Sequence, residues 1–161
     1  MNPAILSPGN NLVITFLASF LIWFMVAGVV FMWLTNSKIK VQHIMSIFLA
    51  TLVAFIISEV IKRLFPTIRP YEVTGGVPLT LTIPRDPSFP SEHTSLAFAL
   101  AAGIRKFGKT IFYVYLLFAI LVGFGRFLSH VHYYADIVTG ALIGVASVLL
   151  IEKTKAFKFL S

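Results

Sequence analysis

The chain alternates long apolar runs with short clusters of polar and charged residues. The length of the runs predicts helices that cross a membrane. Residues 1–37 contain no ionisable side chain. Within them, 11–34 is apolar over a length that spans a bilayer core of about 30 Å. This stretch lacks the basic start of a cleavable signal peptide, and its apolar part is too long for one. Lys38 and Lys40 follow, and a second run covers 41–61, interrupted by His43 near its start and Glu59 near its end. Residues 65–90 are rich in Pro, Gly, Thr and charge, which predicts a loop, with a short hairpin at 73–84. A third, shorter run covers 91–104, and its Ala and Gly suit close helix packing. Arg105, Lys106 and Lys109 form a basic turn before a fourth run at 110–127; a polar link at 128–134 leads to a fifth at 135–151. The tail EKTKAFKFLS is basic and amphipathic. No repeat, low-complexity tract or linker divides the chain. The expected fold is all-α: a polytopic transmembrane helical bundle of about five spans, forming one domain over 1–161.

Composition strengthens this picture. Of 161 residues, 58% are hydrophobic and 12% charged, against roughly 45–50% and 25% in soluble domains. A disordered chain is excluded and a soluble enzyme is disfavoured. There is no cysteine, which removes disulfides, thiolate metal sites and cysteine nucleophiles. The net charge of +7 suits nucleic acid in some proteins, but its distribution argues otherwise. Five spans put loops alternately on two sides. One side holds Lys38, Lys40, Arg105, Lys106, Lys109, Lys153, Lys155 and Lys158, opposed only by Glu152. The other holds Lys62, Arg63, Arg69, Arg85 and Arg126 with Glu59, Glu72, Asp86, Glu92 and Asp136. Counting Lys and Arg, eight to five, makes the first side cytoplasmic. The amino terminus is then outside, the tail inside, and no nucleic-acid partner is expected.

The nearly neutral outer side carries the chemistry. Ionisable groups at membrane depth are costly and usually functional, and three blocks of them meet on this face: KRLFPTIRP at 62–70, PSEH at 90–93 and RFLSHVHYYAD at 126–136. Lys62, Arg69 and Arg126 together make an oxyanion trap, with Arg offering planar paired donors and Lys a point charge. The start of the third span adds backbone N–H groups, with Ser91 as its N-cap. Two histidines beside such a trap divide the work of nucleophile and general acid. Asp136, four residues after His132, reaches back to the imidazole. Plainer readings suffice elsewhere. Arg63 is an interfacial anchor, His43 is interfacial without function, and Glu59 pairs with Lys62 three residues on. Glu72, Arg85 and Asp86 read as solvated loop charges, with contact to a second phosphate as the alternative for Arg85, and Trp23 and Trp33 are lipid anchors or packing.

Lys-x6-Arg-Pro, Pro-Ser-x-His and Arg-x5-His-x3-Asp, in this order, resemble the signature of the type 2 phosphatidic acid phosphatase superfamily. Nine specified positions match over 62–136. The resemblance implies that His132 attacks phosphorus and becomes a phosphohistidine, with Asp136 orienting it. It implies that His93 protonates the leaving oxygen, and that Lys62, Arg69, Arg126 and Ser91 bind the phosphoryl oxygens. No metal and no cofactor are implied. The spacing to Arg126 and Asp136 selects His132 over His130, which is left structural or pocket-lining. The sequence departs from the common pattern at Glu92, where Gly is usual, at Gly125, where Ser is usual, and in having five spans where many members have six. An acid at 92, within SFPSEHTS at 88–95, is similar to bacterial undecaprenyl-diphosphate phosphatases of the bacitracin-resistance type. Glu92 and Glu59 are candidate modulators.

The expected activity is that of a membrane lipid phosphatase in the cytoplasmic membrane, with its site outside. The expected substrate is undecaprenyl diphosphate, whose hydrolysis to undecaprenyl phosphate recycles the lipid carrier of cell-wall synthesis, and the expected partners are that lipid and the bilayer. Alternatives are a phosphatase for phosphatidylglycerophosphate, phosphatidic acid or lipid A phosphate, a lipid-to-lipid phosphotransferase, and a headgroup-binding or transport protein without turnover.

Overall fold

The computed structural model describes residues 12–36 and 39–154. The expectations for Lys38, Lys155, Lys158 and most of the tail fall outside these residues. The described residues are all-α, in the order α1 (Leu12–Ser19), α2 (Leu21–Thr35), α3 (Val41–Leu64), α4 (Pro70–Thr74), α5 (Glu92–Ile104), α6 (Lys109–Leu128) and α7 (Tyr134–Thr154), with a 3₁₀ turn at Arg105–Phe107.

The five expected legs are present but unequal. α3, α6 and α7, of 24, 20 and 21 residues, are long and apolar enough to cross a membrane. The first leg is broken: α1 and α2 meet at 51° around Phe20 and form one bent span when taken together. The third leg, α5, has 13 residues. At 1.5 Å per residue it rises about 20 Å, two thirds of a bilayer core.

That shortness fits its position. α5 packs against α3, α6 and α7 together, and Ala97, Ala99, Leu100, Ala101 and Ile104 are buried. Small residues let the neighbours close around it, because backbones approach most closely where side chains are least bulky. At Gly140 of α7 an added Cβ would lie 2.5 Å from the Ser91 carbonyl oxygen, so only glycine lets α7 lie against the start of α5. The outer surfaces of the long helices carry Phe55, Leu117, Phe124, Leu142 and Leu149 exposed, as lipid-facing helices do.

The two ends of the bundle differ. At one, Glu152 pairs with Arg105 and, at 3.0 Å, with Lys106. At the other, the last turns of α3 and α6 meet the first turns of α5 and α7, and the 65–90 segment folds over them.

The hairpin expected at 73–84 does not form. Pro78 and Pro84 lack an N–H, and the neighbouring donors go elsewhere: Gly76 to the Tyr71 carbonyl at 3.0 Å, Leu79 to the Ser129 carbonyl at 3.2 Å and Leu81 to the Ser19 hydroxyl at 3.1 Å. With its donors committed to α4, to the α6–α7 turn and to α1, the segment has no ladder to build.

Candidate active site

The α6–α7 turn holds the first candidate, His132. α6 ends at Leu128, and the chain reverses through His130, which sits at φ 58°. Three successive carbonyls of this turn are tied to the 65–90 segment. Ser129 accepts from Leu79 N–H, His130 accepts from Tyr71 N–H at 3.0 Å, and Val131 accepts from Arg69 Nη1 at 2.8 Å. His130 is exposed and its imidazole stays outside the cavity described below; its carbonyl does the structural work. His132, two residues on, is buried.

Asp136 lies in the first turn of α7. Its Oδ2 accepts from the Tyr133 N–H at 2.9 Å, the half of a capping box that joins the third helical residue to the cap. The same oxygen accepts from the Ser88 hydroxyl and lies 3.3 Å from His132 Nδ1. A carboxylate only accepts, so it makes Nδ1 the protonated nitrogen and leaves the Nε2 lone pair available. Nε2 faces Arg69 Nη1 and Arg126 Nη2, each at 3.4 Å. Burial foremost, and then the charges of Arg126 and Arg69, outweigh the Asp136 carboxylate and push the His132 imidazole down to about 3. It is therefore neutral at physiological pH, the state a nucleophile requires.

The three basic candidates come from three elements. Lys62, in the last turn of α3, is 3% exposed. One turn before it, the Ser58 hydroxyl meets that of Ser95 at 2.8 Å, clasping α3 to α5. Arg69 caps α4, with its backbone N–H on the Glu72 carboxylate at 2.9 Å. Arg126 reaches from α6 to the Ala18 carbonyl at 3.2 Å, beside Gly125, where an added Cβ would come within 2.8 Å of the α1 backbone. The serine usual at this position would collide with α1. Arg126 Nε is buried without a partner among the described residues.

Lys62, Arg69, Arg126, His93 and His132 line a single cavity of about 370 Å³ with Asp86, Glu92, Ser19, Trp23, Leu81, Thr82 and Pro84. His93 comes from the first turn of α5. Ser91 does not line the cavity. Its N–H donates to the Asp136 carbonyl at 3.0 Å, and its hydroxyl pairs with that of Thr94 at 2.9 Å, not with a free backbone N–H. It supports the start of α5 from beneath.

Asp86 differs most from its reading as a solvated loop charge. Its Oδ2 accepts from Lys62, its Oδ1 lies 3.0 Å from Arg69 Nη2, and its carbonyl accepts from Arg69 Nε at 2.8 Å. Partial burial alone would raise its carboxyl, but the Lys62 hydrogen bond and the charges of Lys62 and Arg69 outweigh it and hold the group below its ordinary value. Glu72 likewise works as a cap. Glu59 lies 3.8 Å and Glu92 3.4 Å from Lys62 Nζ. Among the described residues Glu59, Asp86 and Glu92 form the acidic trio close enough to hold a cation, and the Lys62 ammonium is their shared partner. Ser88 and Trp23 were also missed. No spacing rule points from Asp86 to Lys62, 24 residues away, and Trp23 lines the cavity from the first turn of α2, just after the bend.

Comparison with known proteins follows the same lines. The PAP2 superfamily profile matches residues 43–158. The bacitracin transport permease protein BcrC of Bacillus licheniformis is 33% identical over 141 residues, covering 88% of this chain and 70% of that protein. The crystal structure of Aquifex aeolicus LpxE superposes with a TM-score of 0.71 at 24% identity, covering 95% of this chain and 88% of the other. A transmembrane PAP2-type phosphatidylglycerolphosphate phosphatase from Bacillus subtilis superposes with a TM-score of 0.64 at 22% identity, covering 98% and 82%. At these identities the two structures speak for the fold.

Proposed function

This chain belongs to the PAP2 superfamily, and from that premise we propose that it is a multi-pass membrane lipid phosphatase that converts undecaprenyl diphosphate to undecaprenyl phosphate and inorganic phosphate. One observation carries the reading: two histidines, one of them braced by a carboxylate, share a cavity with three buried basic side chains. A headgroup binder needs the cations but not the acid–nucleophile pair.

In the first step His132 Nε2 attacks the terminal phosphorus. The bond from phosphorus to the bridging oxygen breaks, and His93, which takes up a proton once the anionic substrate lies beside it, gives that oxygen its proton. The imidazole becomes a phosphoimidazolium whose Nδ1–H stays on Asp136. In the second step His93, now neutral, takes a proton from water as the water oxygen bonds to phosphorus and the phosphorus–nitrogen bond breaks. Lys62, Arg69 and Arg126 stabilise charge on the non-bridging oxygens in both steps, an electrostatic role that needs no divalent ion. Trp23 and Leu81 at the cavity wall lie where the prenyl tail leaves toward the bilayer. The basic side chains around the far end, Lys40, Arg105, Lys106, Lys109 and Lys153 among them, support a reading in which that end is cytoplasmic and the cavity faces outward. The likeness to BcrC, a protein named for bacitracin transport, supports a role in bacitracin resistance.

The test is phosphate release in micelles containing chelator, from undecaprenyl diphosphate, phosphatidylglycerophosphate, phosphatidic acid and a lipid A phosphate. The highest kcat/KM is expected for undecaprenyl diphosphate. A clear preference for another lipid would replace the substrate. Label passing to lipid instead of water would make the protein a transferase, and no release from any lipid would favour the transport role named for its relative.

A further inference from the structure

The donors of the basic cluster are unevenly committed. Lys62 Nζ has three protons and faces three carboxylates, Asp86, Glu92 and Glu59. Arg69 has five N–H groups and five acceptors. These are the Asp86 and Val131 carbonyls at 2.8 Å, the Pro87 carbonyl at 3.3 Å, the Asp86 carboxylate at 3.0 Å and His132 Nε2 at 3.4 Å. Most donors of both cations are thus engaged before a phosphoryl group arrives: Lys62 hydrogen-bonds Asp86 and Glu92 with Glu59 3.8 Å away, and Arg69 hydrogen-bonds three carbonyls and His132 while pairing with the Asp86 carboxylate. Of the acceptors they hold, the Asp86 carboxylate alone is shared by both. Arg126, by contrast, has two acceptors for its five N–H groups, the Ala18 carbonyl and His132 Nε2, and its Nε has no partner among the described residues.

We propose that the Asp86 carboxylate is an internal anion that holds the phosphoryl position between Lys62 and Arg69, yields it when substrate enters, and returns to expel inorganic phosphate. The proposal deepens the phosphatase reading and rests on it for the identity of the displaced group. Three observations support it. The carboxylate bridges the two cations as two phosphoryl oxygens would. Its backbone is fixed, since the Asp86 carbonyl binds Arg69 and Ser88 N–H binds the Thr67 carbonyl at 2.9 Å. Its side chain is nonetheless 44% exposed, so rotation about its own side-chain bonds carries it to solvent without moving the segment. Charge gives the motive. Lys62, Arg69 and Arg126 are balanced by Asp86, Glu92 and Glu59, so a phosphate dianion enters at little electrostatic cost only if a carboxylate leaves.

The alternative role is positioning: Asp86 stays in place, and anions bind because it aligns Lys62 and Arg69. The two roles predict opposite signs. In purified protein, orthovanadate and inorganic phosphate are titrated against intrinsic tryptophan fluorescence, since Trp23 lines the cavity. Asp86→Asn and Asp86→Ser are each expected to bind both anions at least tenfold more tightly than the native chain, with Asp86→Glu close to native. In turnover, KM falls and product inhibition by phosphate strengthens in the Asn variant. Unchanged or weaker anion binding in Asn and Ser variants that melt like the native protein overturns the proposal. Because vanadate binding is read without turnover, this result is independent of whether undecaprenyl diphosphate is the substrate.

Discussion

Asp136→Asn tests the catalytic arrangement most directly, because the change keeps the shape of the side chain and removes its charge. Asp136 Oδ2 lies 3.3 Å from His132 Nδ1, which sets the charges about 4 Å apart once the imidazole is phosphorylated. Two unit charges at that separation interact by about 4 kcal/mol at an effective dielectric constant of about 20. In a loose phosphoryl-transfer transition state the imidazole carries only part of its final charge. About half of that interaction, roughly 2 kcal/mol, is then lost from the transition state. The neutral amide also stops dictating the tautomer, since it presents either an oxygen or an NH2 to Nδ1. A thirty- to hundredfold fall in kcat is expected, with KM nearly unchanged because Asp136 does not line the cavity. The assay is phosphate release from lipid diphosphate, together with acid-quench trapping of the phosphoenzyme, whose formation slows by the same factor. Ser88→Ala removes a different hydrogen bond to the same oxygen and leaves the charge, so it is expected to cost only a few-fold. A kcat within threefold of native in Asp136→Asn, while His132→Ala is inactive, would refute the argument. So would a loss confined to KM.

Further predictions follow from neighbouring geometry. His93→Ala abolishes turnover of lipid substrates but, given an aryl phosphate whose leaving group needs no proton, still forms a trappable phosphoenzyme; His132→Ala forms none with either. Because burial lowers the His132 pKa to about 3 in the folded chain from about 6.5 unfolded, the unfolded state binds more protons between these values. Stability from this residue is therefore full above pH 6.5 and falls as pH drops toward 3. Between pH 7 and pH 5 the loss is about 2 kcal/mol, read as a falling melting temperature whose slope flattens in His132→Gln. Gly140→Ala forces a methyl onto the Ser91 carbonyl oxygen and is expected to destabilise by about 1–3 kcal/mol, as overpacking does. Since Ser91 begins the helix that carries His93, activity falls with it.

The parts of this molecule that were legible in the sequence are those in which one short segment states its own requirement. Long apolar runs announce α3, α6 and α7 because a bilayer needs that length. Lys62, Arg69, His93, Arg126, His132 and Asp136 were legible because each block sits at the end of an apolar run, so topology alone brings the blocks to one side. α5 was legible as a helix, but its incomplete span follows from being enclosed by three neighbours, a property of the assembly. The bend near Phe20 left no mark, since no proline or glycine lies at the break.

Asp86 was illegible for a more general reason. An acid in a loop rich in proline and glycine reads as solvated, because water is its cheapest partner. Its commitment here arises from the opposite side. Two buried cations, Lys62 at 3% and Arg69 at 1% exposure, are costly to desolvate without an anion beside them, and Asp86 supplies one carboxylate to both. In this site the acid that lies between Lys62 and Arg69 stands where the proposal puts the competitor of the phosphoryl group. The sequence names the cations directly; the competitor is identified by asking which nearby carboxylate both of them can reach.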